Sequence, residues 1–307
     1  MGEPLGRGGG GPGLGTDCTQ MRISGKARLA GIMGWPVAHS RSPALHGFWL
    51  AENGIDGAYV PLPVRPQHIE QALRALPVLG FRGCNLTIPH KQAALSIVDR
   101  VEPLARRIGA VNTIVVQPDG SLEGRNTDAF GFLESLRATV PDWSATAGPA
   151  TILGAGGAAR AVIAALSDAG VREIRVVNRT RARAETVATD IATPQTRITI
   201  HEWHETGTVL RDAGILVNAT SLGMAGEPAL VLDLSALPRS APVVDIVYVP
   251  LETDLLANAR RRGHPVVDGL GMLLHQGRPG FEAWFGTPVE ASPELRAAIL
   301  ATLAPPR

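Results

Sequence analysis

At 307 residues with 45% hydrophobic side chains, the chain exceeds the usual single-domain size and can fill two cores. A formal net charge of +1 without a long basic run gives no electrostatic case for nucleic acid or membrane surface as partner, so a small molecule is expected. No run approaches the ~20 apolar residues of a membrane span, no secretory signal order is present, and Cys18 and Cys84 are too few for a disulfide framework or a Cys-based zinc site; a cytoplasmic protein with reduced thiols and no metal is expected.

Residues 1–21 are Gly-rich and lack apolar periodicity, the composition of a disordered tail. Met21 at its end is an equally good start of translation, which would make the tail a gene-model extension. From Arg28 a βαβα rhythm begins: the run LAGIMG, a Ser-capped amphipathic segment SPALHGFWLAENG, the run AYVPL and the helical stretch PQHIEQALRAL. It continues with FRGCNLTI, helical pieces near 89–97 and 103–108, the strand-like NTIVVQ, a turn at Pro118-Asp119-Gly120 and a helix over 127–139. Residues 141–149 read as a linker. A new unit opens with Ala150-Thr151-Ile152-Leu153, a glycine cluster, the helix AARAVIAALSDAG and the strand EIRVVN; ILVNAT and PVVDIVY extend its sheet. After Val266-Val267-Asp268 the pattern is helical, with breaks expected near 277–280 and 287–288.

The turn Gly154-Ala155-Gly156-Gly157-Ala158-Ala159 fits G-x-G-x-x-A between a strand and a helix. Gly154 suits the tight turn, Gly156 the approach of a pyrophosphate, and Ala159 close helix packing. An NAD-type unit places a carboxylate after the second strand. Here stand Asn178, Arg179, Thr180 and Arg181, and guanidiniums with a hydroxyl suit a 2′-phosphate, so NADP is favoured over NAD. In the bland alternative, these are solvated arginines at a helix start.

Ser40-Arg41-Ser42-Pro43 sets two hydroxyls before a helix, where they and free amide hydrogens suit a carboxylate; taken alone, Ser42-Pro43 is equally an N-cap. Asn85-Leu86-Thr87-Ile88-Pro89-His90-Lys91 alternates side chains at a strand end and then presents Lys91. Asn112-Thr113 and Asn126-Thr127-Asp128 add amides, hydroxyls and a carboxylate. These are the groups a polyhydroxylated acid requires, although each alone is more often a turn or cap residue. Of 29 Lys and Arg residues only Lys26 and Lys91 are lysines, so a Lys inside a motif suggests a task that arginine cannot perform; genome composition is the competing explanation.

In order along the chain, GWPVAHSRSP (34–43), NLTIPHK (85–91), GAVNT (109–113), NTD (126–128), the Gly154–Ala159 turn, NRT (178–180), NATS (218–221) and DGLGML (268–273) resemble the shikimate dehydrogenase family, from about Ala27 to Phe285. The resemblance implies an α/β protein of two domains. An open α/β substrate domain (22–127 and 268–307, the C-terminal helices returning to it) would carry a Rossmann-type doubly wound nucleotide-binding domain (128–267). It implies Lys91 and Asp128 as catalytic residues and Ser40, Ser42, Asn85, Thr87, Asn112, Tyr248 and Gln276 around the substrate. For NADP it implies Gly154, Ala155, Gly156, Gly157, Ala158, Asn178, Arg179, Thr180, Arg181 and Gly269. The implied reaction is NADPH-dependent reduction of 3-dehydroshikimate to shikimate by a monomer or homodimer.

Two departures stand out. Arg125 occupies a position that is often Asp in the family, and Gln276-Gly277-Arg278-Pro279-Gly280 replaces small, helix-continuing residues, so the helix carrying Gln276 is expected to break at Pro279. The competing readings are a quinate/shikimate dehydrogenase of broader specificity and a non-catalytic shikimate-sensing homologue. In the family, quinate- and NAD-preferring relatives often carry Thr for one Ser and Asp after the second strand, neither of which is present. Retention of Lys91 with Asp128 argues against the sensor.

Overall fold

The computed structural model describes residues 23–303; the expected disordered tail lies outside the described residues. The first unit contains β1 (Arg28–Gly34), α1 (Ser42–Glu52), β2 (Gly57–Pro63), α2 (Ile69–Ala75), β3 (Phe81–Leu86), β4 (Arg100–Val101), α3 (Pro103–Ile108), β5 (Thr113–Val116) and β6 (Leu122–Arg125). Its strands form a mixed sheet in the order β2-β1-β3-β5-β6-β4. β1 runs parallel to both neighbours, whereas β5 is antiparallel to β3 and β6.

Helix α4 (Asp128–Thr139) leads to the second unit: β7 (Ala150–Leu153), α5 (Gly157–Asp168), β8 (Glu173–Val177), α6 (Arg181–Ile191), β9 (Arg197–His201), α7 (Thr206–Val209), β10 (Ile215–Asn218), β11 (Val243–Asp245), α8 (Asp254–Arg261) and β12 (Val266–Val267). All six strands are parallel in the order β12-β11-β10-β7-β8-β9. The order reverses between β7 and β10, the switch point where doubly wound sheets bind ligands. β7 and β10 are buried along their whole length, as covered parallel strands must be.

The two last helices, α9 (Gly269–Phe285) and α10 (Pro293–Ala301), return to the first sheet. There Phe281, Trp284, Phe285, Leu295 and Ile299 share a core with Ala30, Ile32, Leu45, Trp49 and Tyr59. The opposite face is filled by Leu73, Leu76, Leu86, Val111 and Ile114. The fold class and the return of the C-terminal helices agree with expectation, while local detail differs. Residues 89–97 are turns around a short 3₁₀ segment at Ala93–Ser96, and the strands β6 and β9 had no strong pattern to announce them.

The expected break at Pro279 does not occur, for α9 runs unbroken to Phe285 with Pro279 inside it. An interior proline costs about 3 kcal/mol, but Phe281, Trp284 and Phe285 beyond it are almost wholly buried, at roughly 1.5–3 kcal/mol for each large side chain. Burial therefore decides the outcome. The helix ends at Gly286, in the left-handed conformation that closes helices.

Helices α4 and α9 pack closely because Gly131 lies at their crossing. A Cβ there would stand 2.6 Å from Gln276 Cβ and 2.7 Å from the Met272 carbonyl oxygen. Gly131→Ala would gain about 1 kcal/mol of helix propensity and lose more by overlap with main chain that cannot swing aside. A net loss of about 1–2 kcal/mol is expected in urea unfolding, with the midpoint lowered.

Candidate active site and nucleotide cleft

Between the two sheets lies a cavity of about 230 Å³. Its polar wall is built from the ends of β1 and β3 and from the starts of α1, α4 and α9. Ser42 is the first residue of α1, and its side chain makes no capping bond; Arg41 takes the cap position, also without one. The N-cap alternative thus fails, and the Ser40 and Ser42 side chains border the cavity. Ser42 is further fixed by its main-chain N–H, which donates to Ser40 Oγ at 3.3 Å.

Lys91 follows a segment pinned at several points. Thr87 N–H donates to the Met33 carbonyl and His90 N–H to the Thr87 carbonyl. The buried His90 ring bonds the Val64 carbonyl at 2.8 Å, and burial lowers its pKa, favouring the neutral ring, which donates here. The Lys91 ammonium then donates to Asp128 Oδ2 at 2.7 Å. Asp128 opens α4, where a carboxylate meets the positive end of the helix dipole, and its side chain is only 11% exposed against 29% for Lys91. Two of the three ammonium hydrogens are left to face the cavity.

Behind this pair lies a buried polar network centred on Asn112. Its Nδ2 donates to Asp128 Oδ1 at 2.8 Å and to Thr127 Oγ1 at 3.1 Å, with Gln276 Oε1 at 3.4 Å. Its Oδ1 accepts the Thr127 N–H at 2.8 Å and the Thr113 hydroxyl at 3.0 Å. Its main-chain carbonyl accepts Leu86 N–H and Asn85 Nδ2. Burial raises the pKa of the Tyr248 phenol at the cavity rim, and the Arg41 guanidinium partly opposes this, so the hydroxyl keeps its hydrogen at neutral pH.

All nine residues expected to be catalytic or substrate-binding line this one cavity: Ser40, Ser42, Asn85, Thr87, Lys91, Asn112, Asp128, Tyr248 and Gln276. Ala158 and Gly269, expected on the cofactor side, border it as well. Ile32, His39, Leu86, Ile246, Met272 and Leu273 also line it and were not named as site residues; His39, Leu86, Met272 and Leu273 lie within the motif segments, whereas Ile32 and Ile246 lie outside them. Arg125 turns away and pairs with Glu123 at 2.7 Å.

The second cavity, about 720 Å³, opens over the C-terminal ends of β7, β8 and β10. Gly154 takes φ +107°, which an L side chain rarely adopts. At Gly156 and Gly157 an added Cβ would meet nothing within 4 Å, so the first turn of α5 is open to a ligand and has no side-chain cap competing for its N–H groups. This fits a dinucleotide pyrophosphate. Gly154, Ala155, Gly156, Asn178 and Arg179 line the cavity, joined by Trp203, Thr220 and Ser221. Gly157 lines an adjoining recess of about 350 Å³ with Gln92, Arg160 and Thr186.

Thr180 and Arg181 are not among the lining residues of either space. Arg181 is exposed and pairs with Glu185 at 2.9 Å, one helical turn on. Arg183, absent from the sequence expectation, borders both spaces. Arg179 precedes α6 and Arg183 lies in its first turn, so the available signal was only a further guanidinium close behind the end of β8.

Fold, switch-point cavity and Lys–Asp pair together define a two-domain, dinucleotide-dependent oxidoreductase. The family description "Shikimate dehydrogenase substrate binding domain" matches residues 32–114, and "Shikimate / quinate 5-dehydrogenase" matches residues 140–242. Shikimate dehydrogenase (NADP(+)) of Paramagnetospirillum magneticum is 62% identical over 91% of this chain and 100% of its own length; that of Rhodospirillum rubrum is 61% identical over 91% and 99%. Shikimate 5-dehydrogenase of Thermus thermophilus, solved with NADP(H) and shikimate, superposes with TM-score 0.79 at 40% identity, covering 89% of this chain and 99% of that one. Quinate dehydrogenase of Corynebacterium glutamicum, solved with NAD, gives 0.83 at 33% identity, covering 90% and 99%. The chain belongs to the shikimate dehydrogenase family.

Replacing Asn112 by Ala would leave buried Thr127 and Asp128 groups without their partner. A loss on the order of 2 kcal/mol is expected, read as a lowered thermal midpoint in the absence of ligands.

Proposed function

We propose that this chain interconverts 3-dehydroshikimate and shikimate with NADP as its redox partner. The observation that carries the reading is the Lys91–Asp128 pair, at 2.7 Å, in a cavity whose polar wall adds hydroxyls and amides and whose other side is apolar, with Ile32, Ile246, Met272 and Leu273. Residues 22–127 and 268–307 would bind the substrate and residues 128–267 the nucleotide, in a cytoplasmic monomer or homodimer.

Ser40, Ser42 and Tyr248 offer three hydroxyls to a carboxylate, and Asn85, Thr87 and Gln276 offer amides and a hydroxyl to the ring substituents, with Asn112 holding that wall in place through Asn85 and Asp128. NADPH, when bound, supplies the hydride to the ketone carbon. Lys91 holds the ketone oxygen, stabilises the negative charge growing on it and delivers a proton there. Asp128 keeps the ammonium aimed. On the nucleotide side, the α5 N-terminus would take the pyrophosphate, and Arg179 and Arg183 the 2′-phosphate.

A purified-protein assay crossing shikimate and quinate with NADP and NAD tests the reading, and preferred turnover of shikimate with NADP is the expected result. The absence of a carboxylate in residues 178–184 speaks for NADP. Turnover of quinate with NAD alone, or no turnover at all, would replace the reading with one of its two competitors.

Lys91→Ala is expected to lower kcat by about 10²–10⁴ with a smaller change in KM for shikimate. Lys91→Arg is expected to stay strongly impaired, because guanidinium keeps the charge but does not release a proton at accessible pH. A near-normal rate for it would mean that charge alone suffices.

The two arginines of the nucleotide cleft separate cleanly. Arg183→Ala is expected to raise KM for NADP about tenfold, as loss of a charge-assisted contact does, while KM for NAD barely moves. Arg181→Ala is expected to leave both constants nearly unchanged. Initial rates at varied cofactor concentration check the pair.

A further inference from the structure

Asn85 stands in the cavity wall with both hydrogens of its amide already committed. Nδ2 donates to the Asn112 carbonyl and to the Thr113 hydroxyl, each at 3.1 Å. Oδ1 accepts the Tyr59 hydroxyl at 2.6 Å. An amide side chain offers two donors and two acceptor lone pairs, so three of its four positions are used inside the protein. The amide cannot be reversed without penalty. A main-chain carbonyl only accepts, which puts the nitrogen against Asn112 and the oxygen against Tyr59. What Asn85 has left for a ligand is one acceptor lone pair.

Tyr59 makes this lock from behind the wall. It is buried and is not among the cavity-lining residues. Its ring lies flat on His46, with centroids 4.0 Å apart and planes within 9°, and Trp284 stands 6.0 Å away on a tilt. Burial, and secondarily the Cys84 thiol, holds the phenol well above its usual range, opposed in part by the Ser42 side chain, so at neutral pH the hydroxyl keeps the hydrogen it gives to Asn85. His46 is itself buried, and burial drives its pKa down to about 3, opposed only in part by the Asn85 side chain. Neither of its ring nitrogens meets hydrogen-bond geometry with a partner among the described residues. It therefore serves Tyr59 as an uncharged aromatic plate at neutral pH.

We propose that Tyr59 is a positioning residue that sets the specificity of the cavity. By fixing the Asn85 amide it makes that part of the wall an acceptor, which takes a ring hydroxyl and refuses a group that can only accept. The inference rests on the cavity being the site for the polyhydroxylated acid. A wall of this kind penalises the wrong substituent strongly, because the analogue leaves a buried polar atom unmet.

The test uses the full chain as wild type and as Tyr59→Phe, which removes the hydroxyl and keeps the ring. The substrates are shikimate and two analogues, each with one of the ring hydroxyls that is not oxidised replaced by hydrogen. In the wild type one analogue is expected to lose about 100-fold in kcat/KM. In Tyr59→Phe the same replacement is expected to cost tenfold or less, since contacts that act through each other are not additive. KM for shikimate is expected to rise about tenfold, with kcat within about twofold. Equal penalties in both proteins would reduce Tyr59 to packing and overturn the proposal.

A wild-type measurement guards against a variant that does not fold. Replacing the sensitive hydroxyl by fluorine, which accepts weakly and cannot donate, is expected to cost as much as replacing it by hydrogen. A fluorinated analogue handled as well as shikimate would show a donor at that wall and overturn the proposal. A wild type that turns over shikimate but fails these tests sinks this inference alone; one that neither binds nor oxidises shikimate sinks the functional reading with it.

Discussion

The side chain of Asn112 is the point on which the site depends. One amide, 2% exposed, holds the carboxylate that holds the only lysine in the cavity, and its own main-chain carbonyl holds Asn85. Buried polar groups of this kind stabilise when every member is satisfied and are costly when one is missing. The consequence is coupling: the parts that would meet the ring substituents and the part that would meet the reacting oxygen cannot move independently. Asn112 lies just before β5, between antiparallel neighbours, so the network is anchored to the sheet.

Much of this was legible in the sequence, for specific reasons. A glycine cluster between an apolar run and a small-residue helix admits few structures, and the second unit follows the expected plan. The motif residues of the first unit are separated by up to 236 positions between Ser40 and Gln276, yet they converge on one cavity. Their chemistry, amides and hydroxyls at strand ends, was visible; their mutual distances were not. Only the sheet order, with β5 inserted antiparallel beside β3, makes neighbours of Asn85 and Asn112.

Where the sequence reading went astray, a tertiary effect outweighed a local one. Pro279 is a strong local signal, and the apolar surface beyond it is stronger. Arg181 follows the motif directly, but helix geometry gives the cleft to Arg183 and leaves Arg181 to Glu185. Tyr59 and His46 carried no signal because each resembles an ordinary core residue, and their part emerges only from which atom faces which.

The return of α9 and α10 to the first sheet also sets an order of assembly. Strands β1 and β2 and helix α1 are made early, but Phe281, Trp284 and Phe285, which cover them, lie about 220–250 residues further along the chain. During synthesis, at roughly 5–20 residues per second, that apolar face waits uncovered while the whole nucleotide unit is produced and folds as an insertion between the two halves of its host. Contacts of such long separation are slow to form and leave the incomplete chain prone to association. The nascent protein is therefore most vulnerable in its first unit, and a chain truncated before α9 would expose the core that the finished enzyme hides best.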